Sequence, residues 1–302
     1  MKNLSEIAVQ AKNLGFKTRV AVAVAEDINT IGALARSIRE NFVYPILVGC
    51  AAKIEALLQK ERLDPSTYKI INIPNETAAT KEAVRLVRSG EADVLMKGLV
   101  GTDKYLKAVL DKTHGLLTEN AVMSYACALE LPRYHKLLFI SDTAVLTNPD
   151  LSQKIAMINY SVNMARRFGI GKPKVALISA TEKVTTAMPS TLDYALLSKM
   201  ADRGQIKNCV IDGPLDIFLA CDPGSLAIKK VQSPVNGDAD ILIFPNLECA
   251  NSFYKGLMLF GEAEIAGLIC GTIKPVVMMS RNESENSKYY CLALACTMAV
   301  DL

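Results

Sequence analysis

The chain has 302 residues, half of them in the hydrophobic class, and its formal net charge is +3. This length predicts about two domains and is sufficient to bury a core in each. The Lys and Arg residues are scattered without a long basic run and Trp is absent, so the composition argues against a protein that binds nucleic acid.

The eight cysteines and two histidines limit the metal and redox chemistry that the chain offers. No two cysteines form a C-x-x-C pair and most lie in apolar runs, so we interpret them as reduced core residues and expect no metal site. No apolar stretch reaches the ~18 residues that cross a bilayer. The N-terminal segment does not resemble a secretory signal. We therefore expect a cytoplasmic protein without membrane contact.

Strand-like and helical patterns alternate along the chain. Apolar runs that end at Gly, Pro or polar residues predict strands. These runs are 19–25, 44–49, 69–73, 92–96, 137–140, 174–179, 208–212, 239–245 and 275–279. Helical periodicity predicts helices. The helices are 30–40, 51–60, 77–89, 102–110, 121–129, 151–168, 190–201, 252–261 and 286–300. The alternation predicts an α/β fold with mainly parallel sheets covered by helices on both faces. A loop with Thr147, Asn148 and Pro149 predicts a domain boundary near residue 147.

Polar residues follow most of the predicted strands, where open α/β sheets bind their ligands. They include Glu26, Asp27, Lys97, Gly98, Thr102, Asp142, Thr143, Asp212, Gly213, Asn251, Lys255, Ser280 and Arg281. Taken singly, Asp142 also suits a helix N-cap, Gly213 a turn and Lys255 a solvated helix face. Taken together, small polar groups with Lys and Arg predict a cleft for an anionic, oxygen-rich ligand.

The segment after the last predicted strand is the most informative. The apolar run 276–279 stops at Ser280 and Arg281, and an acidic segment then opens a helix. A hydroxyl and a guanidinium at this point suit an anion, and the helix adds unpaired N–H groups. An ordinary Ser N-cap and a surface Arg explain the same residues equally well.

Several motifs that direct phosphate or acyl chemistry are missing. No G-x-G-x-x-G follows the first strand, and neither G-x-x-x-x-G-K-[ST] nor G-x-S-x-G occurs. These absences favour an enzyme for a phosphorylated substrate that needs neither nucleotide hydrolysis nor a metal.

Five motifs in order resemble those of the phosphate acetyl/butyryltransferase family, and most closely its butyryl branch. They are 92–102, 138–144, 212–216, 239–246 with 250–255, and 274–281. The resemblance implies two α/β/α domains of the isocitrate/isopropylmalate dehydrogenase-like type. Residues 1–147 and 273–302 would form the first domain and residues 148–272 the second.

The family resemblance also implies a reaction. A homo-oligomer would transfer a short acyl group reversibly between CoA and inorganic phosphate. Butyryl is the expected acyl group. Acyl-CoA, acyl phosphate and phosphate would be substrates, and no cofactor is expected. Acetyl transfer is the first alternative. A metal-dependent dehydrogenase or decarboxylase on the same architecture and a non-catalytic protein that binds CoA or acyl phosphate are the others.

Residue roles follow from the same resemblance. It places the family's catalytic serine at Ser280 and its phosphate-binding arginine at Arg281. The acetyl branch has an aspartate, proposed as the thiol base, where this chain has Ser287. Either Glu283 or Glu285 substitutes, or the reaction has no dedicated carboxylate. Lys107 stands where the acetyl branch tends to have arginine, and a solvated helix residue is an equally good interpretation. Substrate-binding roles are expected for Lys97, Gly98, Thr102, Asp142, Thr143, Asp212, Gly213, Asn251 and Lys255.

Overall fold

The computed structural model describes residues 3–280 and 283–300. The helices are α1 (Leu4–Lys12), α2 (Ile28–Arg39), α3 (Ala51–Glu61), α4 (Glu76–Arg88), α5 (Thr102–Val109), α6 (Leu151–Arg167), α7 (Ser190–Asp202), α8 (Ile217–Cys221), α9 (Pro223–Lys229), α10 (Leu247–Phe260) and α11 (Glu285–Met298). The strands are β1 (Thr18–Ala23), β2 (Val43–Gly49), β3 (Lys69–Asn72), β4 (Val94–Lys97), β5 (Ser124–Glu130), β6 (Leu138–Ser141), β7 (Lys174–Ile178), β8 (Val210–Leu215), β9 (Ile241–Ile243), β10 (Glu264–Cys270) and β11 (Val276–Val277). The predicted α/β alternation is confirmed.

Contacts are dense within two compact parts of the chain. The first unit consists of Ser5–Ala121 and the described residues from Ile265 onward, and the second of Val122–Glu264 with Asn3 and Leu4. The domain boundaries predicted near residues 147 and 272 remain predictions, because contact density is only one definition of a domain.

The first unit contains strands in the order β3-β2-β1-β4-β11-β10. Every neighbouring pair is parallel except β10 with β11. Val20–Ala23 of β1 and all of β4 are buried, as the continuous apolar runs of strands covered on both faces require.

The strand order of the first unit reverses direction at β1. The chain passes from β1 to β2 and β3 on one side, and then returns to β4 on the other. Because such crossovers are right-handed, α2 and α3 cover one face and α4 the other. The carboxyl ends of β1 and β4 therefore form a topological switch point, the usual place for a ligand.

The second unit contains strands in the order β5-β6-β9-β7-β8. The pairs β6–β9, β9–β7 and β7–β8 are parallel, and β5 runs antiparallel to β6. The long helix α6 begins at Asp150, which caps it reciprocally with Gln153, as a capping box does. The helix predicted over 151–168 is thus confirmed.

Two elements differ from the sequence-based prediction. The helix predicted over 121–129 is wrong, because these residues lead into strand β5. Ser124–Leu129 are all buried, so their pattern carries neither a helical nor an alternating period. Strand β10 was missed, since Gly267 interrupts its apolar run and weakens the strand signal. Among residues 3–280 and 283–300, no helix is long and apolar enough to cross a bilayer.

Candidate functional site

The carboxyl ends of β4 and β11 lie side by side in the first unit. Val276 and Val277 of β11 pair in parallel with Leu95 and Met96 of β4. Strand β4 ends at the predicted site residue Lys97. Strand β11 is followed, after Met278 and Met279, by the predicted site residue Ser280. The register therefore brings the two ends together at the switch point.

Lys97 joins these two strand ends. Its side chain is buried, with the residue only 3% exposed. Nζ donates to the carbonyl oxygen of Met279 at 3.4 Å and to that of Gly98 at 3.5 Å. Because Met279 precedes Ser280, the Lys97 ammonium lies next to the segment that carries the predicted catalytic serine.

Gly98 allows β4 to approach the end of β1 closely. A Cβ atom at this position would lie 2.2 Å from the carbonyl oxygen of Val24 and 2.8 Å from that of Ala23. The backbone N–H of Gly98 donates to Ala23 at 2.9 Å and that of Leu99 to Val24 at 2.8 Å. Gly98 therefore shapes the switch point through its missing side chain.

Ser280 is exposed and lies outside helix α11. The N-cap of α11 is Ser284, whose side chain accepts from the N–H of Ser287 at 3.0 Å. The alternative interpretation of Ser280 as an ordinary N-cap is therefore wrong. Arg281 lies outside the described residues. Ser287, which the family resemblance aligns with the acetyl-branch aspartate, is buried and hydrogen-bonded through its hydroxyl to Ser284 at 3.1 Å.

Helix α2 contacts the segment that follows Ser280. Asn29 donates through Nδ2 to the carbonyl oxygen of Glu283 at 3.2 Å, and Arg36 donates to Asn286 at 3.1 Å. A Cβ atom at Gly32 would lie 2.3 Å from Oε2 of Glu285, so the Glu285 carboxylate is turned toward α2. Helix α2 thus supports Glu283 and Glu285 on one side.

A buried ion pair fixes the first turn of α11 to the first turn of α2. Lys288 is 3% exposed, and its Nζ donates to Oδ2 of Asp27 and, at 3.3 Å, to Oγ1 of Thr30. Asp27 is also the N-cap of α2 and accepts from the N–H of Thr30 at 2.9 Å. Burial alone would raise the pKa of Asp27, but the hydrogen bonds from Lys288 and Thr30 outweigh it and lower that pKa.

Thr102 is the exposed first residue of α5. The N-cap of α5 is Gly101, whose N–H donates to the Glu76 carboxylate at 2.9 Å. Glu76 also pairs with Lys104 at 2.5 Å. Tyr105 of the same helix donates to the carbonyl oxygen of Val277 at 3.0 Å, so α5 is anchored to β11.

Asp142 of the second unit organises the loop that follows β6. Its Oδ1 accepts from the N–H groups of Ala144 and Val145, both at 2.8 Å. Its Oδ2 accepts from the Ser124 hydroxyl and the Tyr125 N–H, both at 2.9 Å. Burial raises the pKa of Asp142, and these hydrogen bonds counteract that rise. The loop geometry depends on this carboxylate.

Thr143 and Asn251 meet in the second unit. Nδ2 of Asn251, on α10, donates to the carbonyl oxygen of the buried Thr143 at 2.9 Å. Lys255 lies one turn further along α10, is exposed, and has no ion-pair partner among the described residues. The predicted residues of β6 and α10 are thus brought together.

Asp212 and Gly213 lie within strand β8, which continues to Leu215; the prediction that they follow the strand is wrong. The register with β7 shifts between Ala176 and Ile178, so β8 carries a bulge at this point. A Cβ atom at Gly213 would lie 2.6 Å from the Cβ of Leu177, which explains the glycine. The Asp212 carboxylate has no hydrogen-bond partner among the described residues.

The structure thus forms two groups of predicted residues. Lys97, Gly98 and Ser280 come together in the first unit, and Asp142, Thr143 and Asn251 in the second. Asp27, Asn29 and Lys288 also belong to the first group. Lys288 had a signal in the sequence, since it is a lone charge within a buried helical stretch.

The thiols and metal-binding side chains do not form a competing site among the described residues. No cluster of three or more His, Cys, Asp or Glu side chains there is able to hold a metal ion. None of the eight cysteines forms a disulfide, and Cys249 is exposed rather than in the core. Burial raises the pKa values of Cys291 and Cys296 to about 12, which keeps these thiols protonated and unreactive.

Known proteins resemble this chain over nearly its full length. Residues 77–296 match a family model described as phosphate acetyl/butaryl transferase. The phosphate butyryltransferase of Clostridium beijerinckii is 43% identical over 298 residues, which cover 99% of this chain and 98% of that protein. The phosphate acetyltransferase of Thermotoga maritima is 39% identical over 296 residues, covering 98% and 99%.

A solved structure has a similar fold. The branched-chain phosphotransacylase of Enterococcus faecalis V583 matches with a TM-score of 0.80 at 30% identity, covering 94% of this chain and 99% of that one. The family model and the full-length relatives agree with the motifs recognised at the strand ends. The chain therefore belongs to the phosphate acetyl/butyryl transferase family.

Proposed function

We propose that this chain is an acyltransferase that moves a short acyl group reversibly between CoA and inorganic phosphate, with butyryl preferred over acetyl. The observation that carries the proposal is the contact of Lys97 Nζ with the carbonyl oxygen of Met279 at 3.4 Å. This contact supports the proposal because Lys97 is a buried cation and Met279 directly precedes Ser280 in the chain. A hydroxyl with one or two cations suits a phosphate dianion.

The preference for butyryl is supported by the relatives. The phosphate butyryltransferases of Clostridium beijerinckii and Clostridium acetobutylicum are 43% and 41% identical to this chain. A phosphate acetyltransferase follows at 39%, so the margin is small. Acetyl transfer is the alternative.

The chemistry balances without any further reactant. In the direction of acyl-CoA formation, the CoA sulfur forms a bond to the carbonyl carbon of the acyl phosphate. The bond from that carbon to the bridging oxygen then breaks, and phosphate leaves with the electron pair and finally carries the thiol proton. Donors directed at the oxygen that becomes negative lower the barrier most. In this proposal Ser280 donates to that oxygen, while Arg281 and Lys97 hold the phosphate.

A base for the thiol is assigned among the two glutamates. The carboxylate of Glu285 is turned toward Gly32 of α2, whereas Glu283 is fixed by its backbone to Asn29 and is half-buried. We therefore favour Glu283 as the group that accepts the thiol proton. A general base of this kind contributes about 10²–10⁴-fold, which is the loss expected for Glu283→Gln.

The residues of the second unit are assigned by their contacts. Asp142 holds the loop after β6, and Thr143 and Asn251 hold that loop to α10. Their proposed part in substrate binding is to position this loop. Lys255, without a carboxylate partner among the described residues, is the proposed cation of this group. Gly98 and Gly213 act through close backbone approach, and Asp212 and Thr102 offer polar groups at the surface.

Other features implied by the family remain proposals. They are the isocitrate/isopropylmalate dehydrogenase-like fold class, the homo-oligomer, the cytoplasmic location and the lack of any cofactor. The oligomer is tested by sedimentation equilibrium, which gives the mass of the particle without reference to its shape. Activity that resists exhaustive chelation and dialysis supports the lack of a metal cofactor.

The experiment that tests the function is phosphate-dependent release of CoA. Purified protein is mixed with butyryl-CoA and a thiol reagent, with and without phosphate, and the release of free thiol is followed. We expect release that depends on phosphate and is faster with butyryl-CoA than with acetyl-CoA. Binding of butyryl-CoA without release would identify a non-catalytic binding protein and overturn the proposal.

A further inference from the structure

Two large apolar side chains are exposed at the switch point of the first unit. Ile28 is 59% exposed and Leu99 is 38% exposed. Ile28 is the first residue of α2 and Leu99 is the second residue after β4, so both follow strands whose carboxyl ends meet there. Apolar residues that are exposed singly need no explanation, whereas a group of them at a ligand edge indicates a contact surface.

The backbone brings Ile28 and Leu99 to the same turn. The carbonyl oxygen of Val24 accepts from the N–H of Glu26 at 2.8 Å and from the N–H of Leu99, also at 2.8 Å. Glu26 and Asp27 lead directly into Ile28, so the backbone of Leu99 lies against the turn that opens α2. Side chains of a helix lean toward its N-terminus, and Ile28 therefore leans toward this turn.

Other exposed apolar residues of the first unit lie away from the switch point. Among the described residues they occur within α1, before β1, after α5, before β11 and after α11. They are Val9, Phe16, Leu110, Ile273 and Val300. In the part of this unit that the structure describes, Ile28 and Leu99 are thus the large apolar side chains exposed at the carboxyl ends of the strands.

Leu99 lies close to the segment that carries Ser280. Strand β4 lies between β1 and β11 in the sheet, so the residues that follow β4 emerge between the ends of those two strands. Lys97, two residues before Leu99, donates to the carbonyl oxygen of Met279 at 3.4 Å. Leu99 therefore follows directly on the contact between β4 and the Ser280 segment.

Ile28 is connected to the same segment from the other side. Its neighbour Asn29 donates through Nδ2 to the carbonyl oxygen of Glu283 at 3.2 Å. The first turn of α2 thus contacts the chain three residues after Ser280, and Ile28 lies in that turn.

The residues of this point combine polar and apolar chemistry. Ser280 and Lys97 offer a hydroxyl and an ammonium, which suit the oxygens of an acyl group and of phosphate. Ile28 and Leu99 offer only hydrocarbon, which suits an alkyl chain. An acyl group has the same two parts, because its carbonyl reacts while its chain is apolar. Butyryl carries two methylene groups more than acetyl, so it gains more from an apolar surface beside the carbonyl.

We propose that Ile28 and Leu99 contact the alkyl chain of the substrate and favour butyryl over acetyl. The inference rests on the proposed acyl transfer and names the residues that set its chain preference. Burial of one methylene group favours binding by about fourfold, and an apolar pocket uses such contacts to discriminate between substrates in kcat/KM.

Steady-state kinetics of Ile28→Ala/Leu99→Ala with butyryl-CoA and acetyl-CoA test the proposal. We expect the butyryl-to-acetyl ratio of kcat/KM to fall at least about fivefold, because only the longer chain loses its contacts. Both side chains are exposed, so their removal leaves no buried cavity and the variant should fold. Ile28→Met/Leu99→Met keeps apolar side chains at both positions and should restore most of the ratio.

The matched control is Leu110→Ala/Ile273→Ala. It removes the same two side-chain types from exposed positions of the first unit, at the end of α5 and before β11 rather than at the switch point. Its butyryl-to-acetyl ratio should equal that of wild type.

The outcomes separate this inference from the acyl transfer on which it rests. An unchanged ratio in Ile28→Ala/Leu99→Ala, or an equal loss of kcat/KM for both thioesters, would overturn the inference, while phosphate-dependent thiol release would still support acyl transfer. A fall in the ratio as large in the control variant would overturn it as well. If wild type released no thiol from either thioester, the acyl transfer itself would fail, and this inference with it.

Discussion

Single residues at the strand ends determine the shape of the candidate site as much as its charge. Gly98 illustrates this, because the carbonyl oxygen of Val24 occupies the space that a Cβ atom would need. Val24 itself has a positive φ of 57°, which is unusual for a β-branched residue. The backbone of this turn therefore has little freedom to move aside.

Gly98→Ala should destabilise the protein and impair its activity. A contact of 2.2 Å between Cβ and a backbone oxygen forces the ends of β1 and β4 apart, and overpacking of this kind costs about 1–3 kcal/mol or more. Urea unfolding measures the change. Gly256→Ala is the control: a Cβ there meets no atom within 4 Å in the middle of α10, so it should raise stability by about 0.5–1 kcal/mol. Equal effects of the two variants would contradict this account.

Asp142 provides a second test at the same scale. Asp142→Ala removes the acceptor for the N–H groups of Ala144, Val145 and Tyr125, and unsatisfied buried donors cost about 1–3 kcal/mol each. We expect a loss of about 2–4 kcal/mol in the free energy of unfolding.

The control for Asp142→Ala is Asp212→Ala. The Asp212 carboxylate has no hydrogen-bond partner among the described residues, so its removal should leave the free energy of unfolding nearly unchanged. If Asp142→Ala were as stable as Asp212→Ala, the assignment of Asp142 to loop organisation would be wrong.

At the scale of elements, α2 and α11 hold the segment that carries the predicted catalytic residues. The contacts are the ion pair of Lys288 with Asp27 and the hydrogen bond of Asn29 to Glu283. Lys288 and Asp27 pair with each other, so both act on the segment that follows β11. We therefore regard Lys288 as a positioning residue.

Lys288→Met should destabilise the protein by about 2–4 kcal/mol, because it leaves the Asp27 carboxylate without its partner in a largely buried place. The double variant Asp27→Asn/Lys288→Met should regain part of this loss, and urea unfolding of all four proteins completes a double-mutant cycle. A positioning role also predicts that kcat for acyl transfer falls more than the KM for phosphate changes. Additive single effects, without coupling, would contradict the ion pair.

A surface ion pair in the same unit serves as the comparison for Lys288. Lys53 pairs with Glu26 at 2.8 Å; the Lys53 side chain is 68% exposed and that of Glu26 7%. Glu26 also accepts from the N–H of Cys50 at 2.9 Å, and a solvated ammonium contributes little, so Lys53→Met should lower the free energy of unfolding much less than Lys288→Met. A loss as large as that of Lys288→Met would show that burial does not distinguish the two pairs.

The Asp27 carboxyl also predicts a dependence of stability on pH. Its pKa is lowered in the folded protein because the hydrogen bonds and charge of Lys288 outweigh burial. Such a group contributes stability that is fully present above its unfolded pKa of about 3.9 and is lost as pH falls through the folded pKa. The stability advantage of wild type over Asp27→Asn should therefore shrink below about pH 5. A constant or growing advantage in acid, measured by thermal unfolding, would reverse the sign and refute the assignment.

At the scale of the whole molecule, the α/β class and the mainly parallel pairing could be predicted from the sequence. Buried parallel strands such as β1 and β4 read as continuous apolar runs, and the capped helix α6 has clear ends. Strand β5 could not be predicted, because Ser124–Leu129 are buried throughout and small residues such as Ala126 and Ala128 suit a helix equally well. Strand β10 lacked a signal because Gly267 lies at its centre.

Only part of the candidate site could be predicted from the sequence. Residues that end a strand, such as Lys97 and Ser280, follow from the rule that ligands bind at the carboxyl edge. Asn29 gave no signal, and Lys288 stood out only as a lone charge in a buried helical stretch. The partners of both residues depend on the packing of α11 against α2 over more than 250 positions of chain separation. The place of Asp212 was predicted wrongly because the bulge in β8 extends the strand past a Gly-Pro pair that normally ends one.

The most direct test of the central claim is the steady-state kinetics of the variants at Ser280 and Arg281. If these residues surround phosphate beside the thioester, Arg281→Ala should raise the KM for phosphate by at least about tenfold, because one charge-assisted contact is lost. The KM for butyryl-CoA should stay nearly constant. Ser280→Ala should lower kcat by about 10²–10³-fold, as loss of an oxyanion donor does. An Arg281→Ala protein with an unaltered KM for phosphate, or a Ser280→Ala protein with wild-type kcat, would contradict the account.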